Sequence, residues 1–117
     1  MTDVTYPIQM VRGVPVVRVP EEIDITSAAA LREALLQAVT QGQPVIVDMA
    51  QTQFCDTAGI HALVFAHKQA LANGGQLRLV TPSGNVLRIL EITGIDRIIP
   101  HFTDLEQALT PTPAGPP

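Results

Sequence analysis

The apolar positions change period along the chain, and each change marks an element. Val4, Tyr6, Ile8 and Met10 alternate with Thr5, Pro7 and Gln9, the period-two pattern of a half-buried strand, and Pro7 assigns that strand to a sheet edge. Arg12-Gly13 is a turn, and the denser apolar run from Val14 to Val19 completes a hairpin whose second strand is the more deeply buried. Pro20 to Asp24 then breaks away from the sheet. From an N-cap at Thr26 or Ser27, Ala28, Leu31, Leu35 and Val39 fall on one stripe with Arg32, Glu33 and Gln37 off it, predicting a helix to about Gln41 that Gly42 ends. Pro44 to Met49 reads as a strand. Its Val45-Ile46-Val47 run lacks alternation, which implies burial on both faces.

A second helix follows Asp56-Thr57-Ala58-Gly59 and runs to about Ala72, where Asn73-Gly74-Gly75 stops it. Ile60, Leu63, Val64 and Leu71 form its core stripe, whereas His61, Phe65 and Lys68 recur at i, i+4 and i+7 on another face. Gln76 to Thr81 is the next strand, and Ser83 caps a helix over Asn85 to Thr93 that turns Val86, Leu87 and Leu90 inward and closes at Gly94. Ile98-Ile99 is read as a short last strand and Thr103 as the cap of a final helix ending near Leu109. Strands alternating with helices after an opening hairpin predict an α/β fold: a single domain over residues 1–109, with a mixed, mostly parallel central sheet and about four flanking helices. Val45, Val47, Ile60, Leu63, Leu79, Leu87 and Leu90 are its expected buried residues. The Pro-rich stretch 110–117 is expected to be a disordered tail.

Composition narrows the function classes. The 117 residues are 46% hydrophobic with three Phe, one Tyr and no Trp, an aliphatic core suited to helices packed on a sheet. Seven Lys and Arg against eleven Asp and Glu give a net charge of −4, and the basic residues are scattered, so no nucleic acid partner is expected. The first residues lack the basic and apolar regions of a signal peptide, and no apolar run is long enough to span a bilayer. A cytoplasmic protein without direct membrane insertion is expected. The single cysteine excludes an internal disulfide. His101 has no neighbouring ligand types, so neither a metal nor a cofactor is expected.

The chemistry concentrates where the polar stretch after Met49 meets the second helix. A hydroxyl at Thr57 in a first helical turn lies where unpaired N–H groups and the helix dipole favour added negative charge, as a phosphorylatable switch requires. Asp56 or Thr57 can equally serve as an ordinary N-cap, and Gly59 can serve a tight turn or a close backbone approach. A Cys55 nucleophile with His61 or His67 as base is disfavoured, because residues six apart lie about 240° apart around a helix. An enzyme is therefore not expected.

Three stretches carry a resemblance. Glu22-Ile23-Asp24 before the first helix, Phe54-Cys55-Asp56-Thr57-Ala58-Gly59-Ile60 at the second, and Leu90-Glu91-Ile92-Thr93-Gly94-Ile95 resemble the signature segments of the STAS domain family, in particular bacterial anti-sigma factor antagonists. The resemblance implies binding to an anti-sigma factor with kinase activity, which phosphorylates a hydroxyl in the two positions before the motif glycine, and reversal by a serine/threonine phosphatase. Those positions are Thr57 and Ala58 here, so Thr57 is the only acceptor in the motif. Glu21 also stands where glycine is common in the first segment. The implied partner surface comprises Asp24, Asp56, Thr57, Ala58 and Gly59, with the His61, Phe65 and Lys68 face. The same motif also fits an accessory subunit of a membrane lipid transporter, or a STAS scaffold that is not phosphorylated.

Overall fold

The computed structural model describes residues 6–81 and 84–110. The opening hairpin pairs β1 (Ile8–Val11) antiparallel to β2 (Val14–Arg18) through Arg12 and Gly13, which both take positive φ, 53° and 80°. That geometry gives a two-residue turn the twist its strands require. Val4 and the Ser83 cap lie outside the described residues, as does the stretch beyond residue 110.

Four further strands follow: β3 (Glu22–Ile23), β4 (Val45–Asp48), β5 (Phe54–Cys55) and β6 (Leu77–Val80); a last one is β7 (His101–Phe102). The main sheet has the order β1-β2-β4-β6-β7, with every pairing after the hairpin parallel. Its helices are α1 (Ile25–Ala38), α2 (Thr57–Ala72), α3 (Asn85–Thr93) and the short α4 (Leu105–Leu109). Val45, Ile46 and Val47 are all fully buried, as expected of a central strand covered on both faces. One face packs on α1, α2 and α3 in a core containing Val17, Val47, Leu31, Leu35, Leu63 and Leu79. The other face holds a smaller cluster of Val16, Ile46, Val80 and Ala108 under α4.

Several expectations are corrected. Glu22 and Ile23 do leave the main sheet, but they then pair in parallel with Phe54 and Cys55 as a separate two-stranded ribbon that was not expected, and Ile23 is fully buried. Two residues are too few to show a period. The α1 cap is Asp24 rather than Thr26 or Ser27. After Gly94, whose φ of 81° ends α3, residues Ile95–Arg97 form a 3-10 turn, so Ile98-Ile99 is not a strand. Sheet pairing resumes only where Leu79 N–H donates to Pro100 O at 2.9 Å. Asp104, not Thr103, caps α4, its Oδ1 accepting from Gln107 N–H at 2.8 Å. Of the expected core, Val45, Val47, Ile60, Leu63, Leu79 and Leu90 are buried, but Leu87 is only partly covered and Leu71 on α2 is exposed.

Candidate functional site

The short β3/β5 ribbon decides where the site residues meet. Ile23 pairs with Cys55, and Asp56 N–H donates to Ile23 O at 2.9 Å, so each strand runs straight into a helix and the N-termini of α1 and α2 emerge side by side. Their caps differ. At α1, Asp24 Oδ1 accepts from Thr26 N–H at 3.0 Å and Ser27 N–H at 2.9 Å, while Ser27 Oγ accepts from Asp24 N–H at 2.9 Å. This reciprocal capping box satisfies the first turn, and the Ser27 hydrogen bonds hold the Asp24 carboxyl below the usual carboxylate range. Asp56 occupies the equivalent position at α2 with extended backbone, but its side chain makes no cap hydrogen bond. The N-cap expected of Asp56 or Thr57 is therefore not formed by a side chain. The first bond of α2 is Ile60 N–H to Asp56 O at 3.1 Å, leaving the earlier N–H groups of the turn without a capping side chain.

Within that uncapped turn Thr57 is exposed, Ala58 half-buried and Gly59 buried. A Cβ on Gly59 would lie 2.7 Å from Cys55 Sγ and 2.8 Å from Ile23 Cγ2, closer than packed carbon atoms come. Gly59 therefore serves close approach rather than a turn: it lets α2 rest on the ribbon that launches it.

The remaining expected site residues continue along α2. Thr57, His61 and Lys68 are exposed on its outward face, and Phe65 is partly buried beneath Arg32, whose guanidinium carbon lies 4.2 Å from the ring centroid. An open groove of about 820 Å³ follows this face, with α2 as its floor and residues of α1 and α3 as its walls. Asp24, Asp56, Thr57, Ala58 and Gly59 thus cluster at the paired helix starts, and His61, Phe65 and Lys68 extend from them in one line. Sequence reasoning missed two groove-lining residues, Arg32 and Ile25 at 74% exposed, and also Phe54, 52% exposed on the ribbon rather than in the groove. Ile25 was legible as an apolar residue off the α1 stripe, whereas nothing in a two-residue strand marks Phe54 as outward-facing.

Cys55 and His67 are packing residues. Burial pushes the Cys55 thiol up to about 11, so it is protonated at neutral pH and unsuited to nucleophilic attack. His67 is buried and its Nδ1 accepts from Leu77 N–H at 3.2 Å, whereas His61 faces outward. Among the described residues no group of three His, Cys, Asp or Glu is placed to hold a metal ion, and no helix is long and apolar enough to cross a membrane.

Residues 6–108 match the model of the STAS domain. The chain belongs to the STAS domain family. Among STAS relatives, the anti-sigma-B factor antagonist of Bacillus subtilis (strain 168) is 32% identical over 83 residues, covering 71% of this chain and 76% of that protein. The crystal structure of an anti-sigma factor antagonist from Mycobacterium paratuberculosis superposes with a TM-score of 0.78 at 27% identity, over 90% of each chain. The Bacillus cell fate determinant SpoIIAA, solved in its phosphorylated form, shares the STAS fold with a TM-score of 0.67 at 21% identity, over 88% of this chain and 96% of its own.

Proposed function

We propose that this chain is an anti-sigma factor antagonist that binds an anti-sigma factor kinase through the α2 face and is switched off by phosphorylation of Thr57. The observation that carries this reading is the exposed Thr57 hydroxyl in a helical first turn that no side chain caps, at the mouth of an open groove. The similarity to the anti-sigma-B factor antagonist of Bacillus subtilis supports the partner class, and SpoIIAA shows that a protein of this fold can carry a phosphate.

Phosphorylation would add about −1.5 to −2 charges. The free N–H groups and the positive helix end tolerate that charge locally, so the fold should persist. A partner seated on Thr57 meets a different surface. It must accommodate three phosphate oxygens beside the Asp56 carboxylate, and repulsion with any acidic group it brings releases it. A serine/threonine phosphatase would restore the binding form. Ala58 offers no second acceptor, so the switch rests on Thr57 alone.

The test is incubation of the purified protein with its cognate kinase and ATP, followed by intact-mass spectrometry. One phosphate is expected on the wild type and none on Thr57→Ala. Thr57→Ala should bind the kinase constitutively, and Thr57→Glu at least about tenfold more weakly. No phosphate on the wild type, or equal labelling of Thr57→Ala, would overturn the assignment. Capture of a transporter nucleotide-binding subunit in place of a kinase would overturn the partner.

A further inference from the structure

The groove over α2 carries a charge pattern that the chain as a whole does not. Eleven acidic residues outnumber seven basic ones overall, yet no Asp or Glu lines the groove, and Arg32, His61 and Lys68 do. Among the described residues neither Arg32 nor Lys68 is engaged in an ion pair. The Arg32 guanidinium is held over the Phe65 ring, and Lys68 follows Phe65 by three residues on the same helical face. Two unpaired cations therefore flank one ring toward one end of the groove. Elsewhere its walls are aliphatic, with Ile25 and Ala29 on α1 and Ile89 and Ile95 on the opposite side.

An occupant that satisfies both features has one anionic head and an apolar body. An inorganic anion would leave the aliphatic walls wet. A nucleotide needs polar partners for its base and sugar, and the lining offers only Thr57, His61 and Thr93 as neutral polar side chains, with the Thr93 hydroxyl already donating toward the Ile89 and Leu90 carbonyls at 2.8 and 3.2 Å and Arg32 covering a face of Phe65. The groove's volume of about 820 Å³ suits a small amphiphile. Covering Ile25, which is 74% exposed, supplies hydrophobic stabilisation that the free protein lacks.

We infer that the groove binds a free fatty acid, its carboxylate at Arg32 and Lys68 and its chain between the Ile25, Ala29 wall and the Ile89, Ile95 wall. Thr57, His61, Phe65 and Lys68 also belong to the proposed partner face, but the inference does not rest on that partner. It is tested on the isolated protein.

Decanoate, kept below its micellar concentration, is titrated into the full chain by calorimetry and by amide chemical-shift mapping. Saturable one-to-one binding is expected, with shifts centred on Ile25, Ala29, Val64, Phe65 and Ile89. The uncharged 1-decanol should bind at least about tenfold more weakly, and the double variant Arg32→Ala, Lys68→Ala should weaken decanoate by a similar factor. Ala29 is exposed on the wall, so Ala29→Trp should obstruct the chain-binding part of the groove and weaken decanoate binding at least about tenfold without unfolding the chain. Failure to saturate, equal affinity for 1-decanol, or undiminished binding by both variants would overturn the inference. Sedimentation with phosphatidylglycerol vesicles in the absence of decanoate binding would overturn it in favour of a membrane surface.

Discussion

Gly59 and His67 show how single residues constrain this domain. The Cβ that Gly59→Ala adds meets Cys55 Sγ and Ile23 Cγ2 below 3 Å, and overpacking of this kind typically costs about 1–3 kcal/mol. Urea denaturation should show that loss. Adding Cys55→Ala should recover only part of it, because Ile23 still stands in the way; full recovery would place the whole strain on the thiol. His67 sets a pH dependence. Its Nδ1 accepts from Leu77 N–H, so the folded protein holds the neutral ring, and burial lowers its pKa from the ordinary 6.5. Above that value both folded and unfolded chains carry neutral His67. As pH falls below it the unfolded chain takes up the proton first, so stability should decline until the lowered folded pKa is reached. His67→Gln should flatten the stability profile just below pH 6.5, as measured by thermal melts across that range.

At the scale of elements, the paired helix starts differ in how their first turns are satisfied. Asp24 completes a capping box on α1, whereas Asp56 makes no side-chain cap bond on α2. Asp24→Ala should therefore lower the urea midpoint, because three backbone or hydroxyl hydrogen bonds lose their partner. Asp56→Ala should leave the midpoint nearly unchanged and alter kinase binding or Thr57 phosphorylation instead. Equal destabilisation by the two substitutions would mean that Asp56 caps α2 in solution. Burial follows the same asymmetry along α2, where Leu63 is fully covered and Leu71, two turns later, is 56% exposed.

The whole molecule has two unequal cores on opposite faces of one sheet. The larger lies under three helices, and the smaller under the five residues of α4, which is tied down by Arg78 Nη1 donating to Ala108 O at 2.7 Å and by the exposed Arg12–Glu106 pair. An exposed ion pair adds little. Leu63→Ala in the larger core should cost about 2–5 kcal/mol. Native-state hydrogen exchange should rank the faces the same way, with β4 amides exchanging only through global unfolding and α4 amides through local opening. Exchange of α4 at the β4 rate would show that the small core is fully cooperative with the large one.

Local chemistry determined much of this without help from the fold. The limits of α2 and α3 match the reading from Asp56 to Ala72 and from Asn85 to Gly94, because helix ends are set by residues within a turn of them, and the Gly94 φ of 81° is a property glycine carries on its own. The mostly parallel sheet followed from the alternation of strand and helix patterns. Tertiary structure alone decided the β3/β5 ribbon, because pairing of two-residue strands some thirty positions apart leaves no period to read. That ribbon in turn brings Asp24 beside Asp56 and sets Gly59 against Cys55. It also decided which members of an apolar stripe are covered: Leu71 and Leu87 lie on readable stripes, but coverage depends on where the neighbouring element ends. Arg32 entered the groove for the same reason. Its own helix marks it as solvent-facing, and only the packing of α1 against α2 lays it over Phe65.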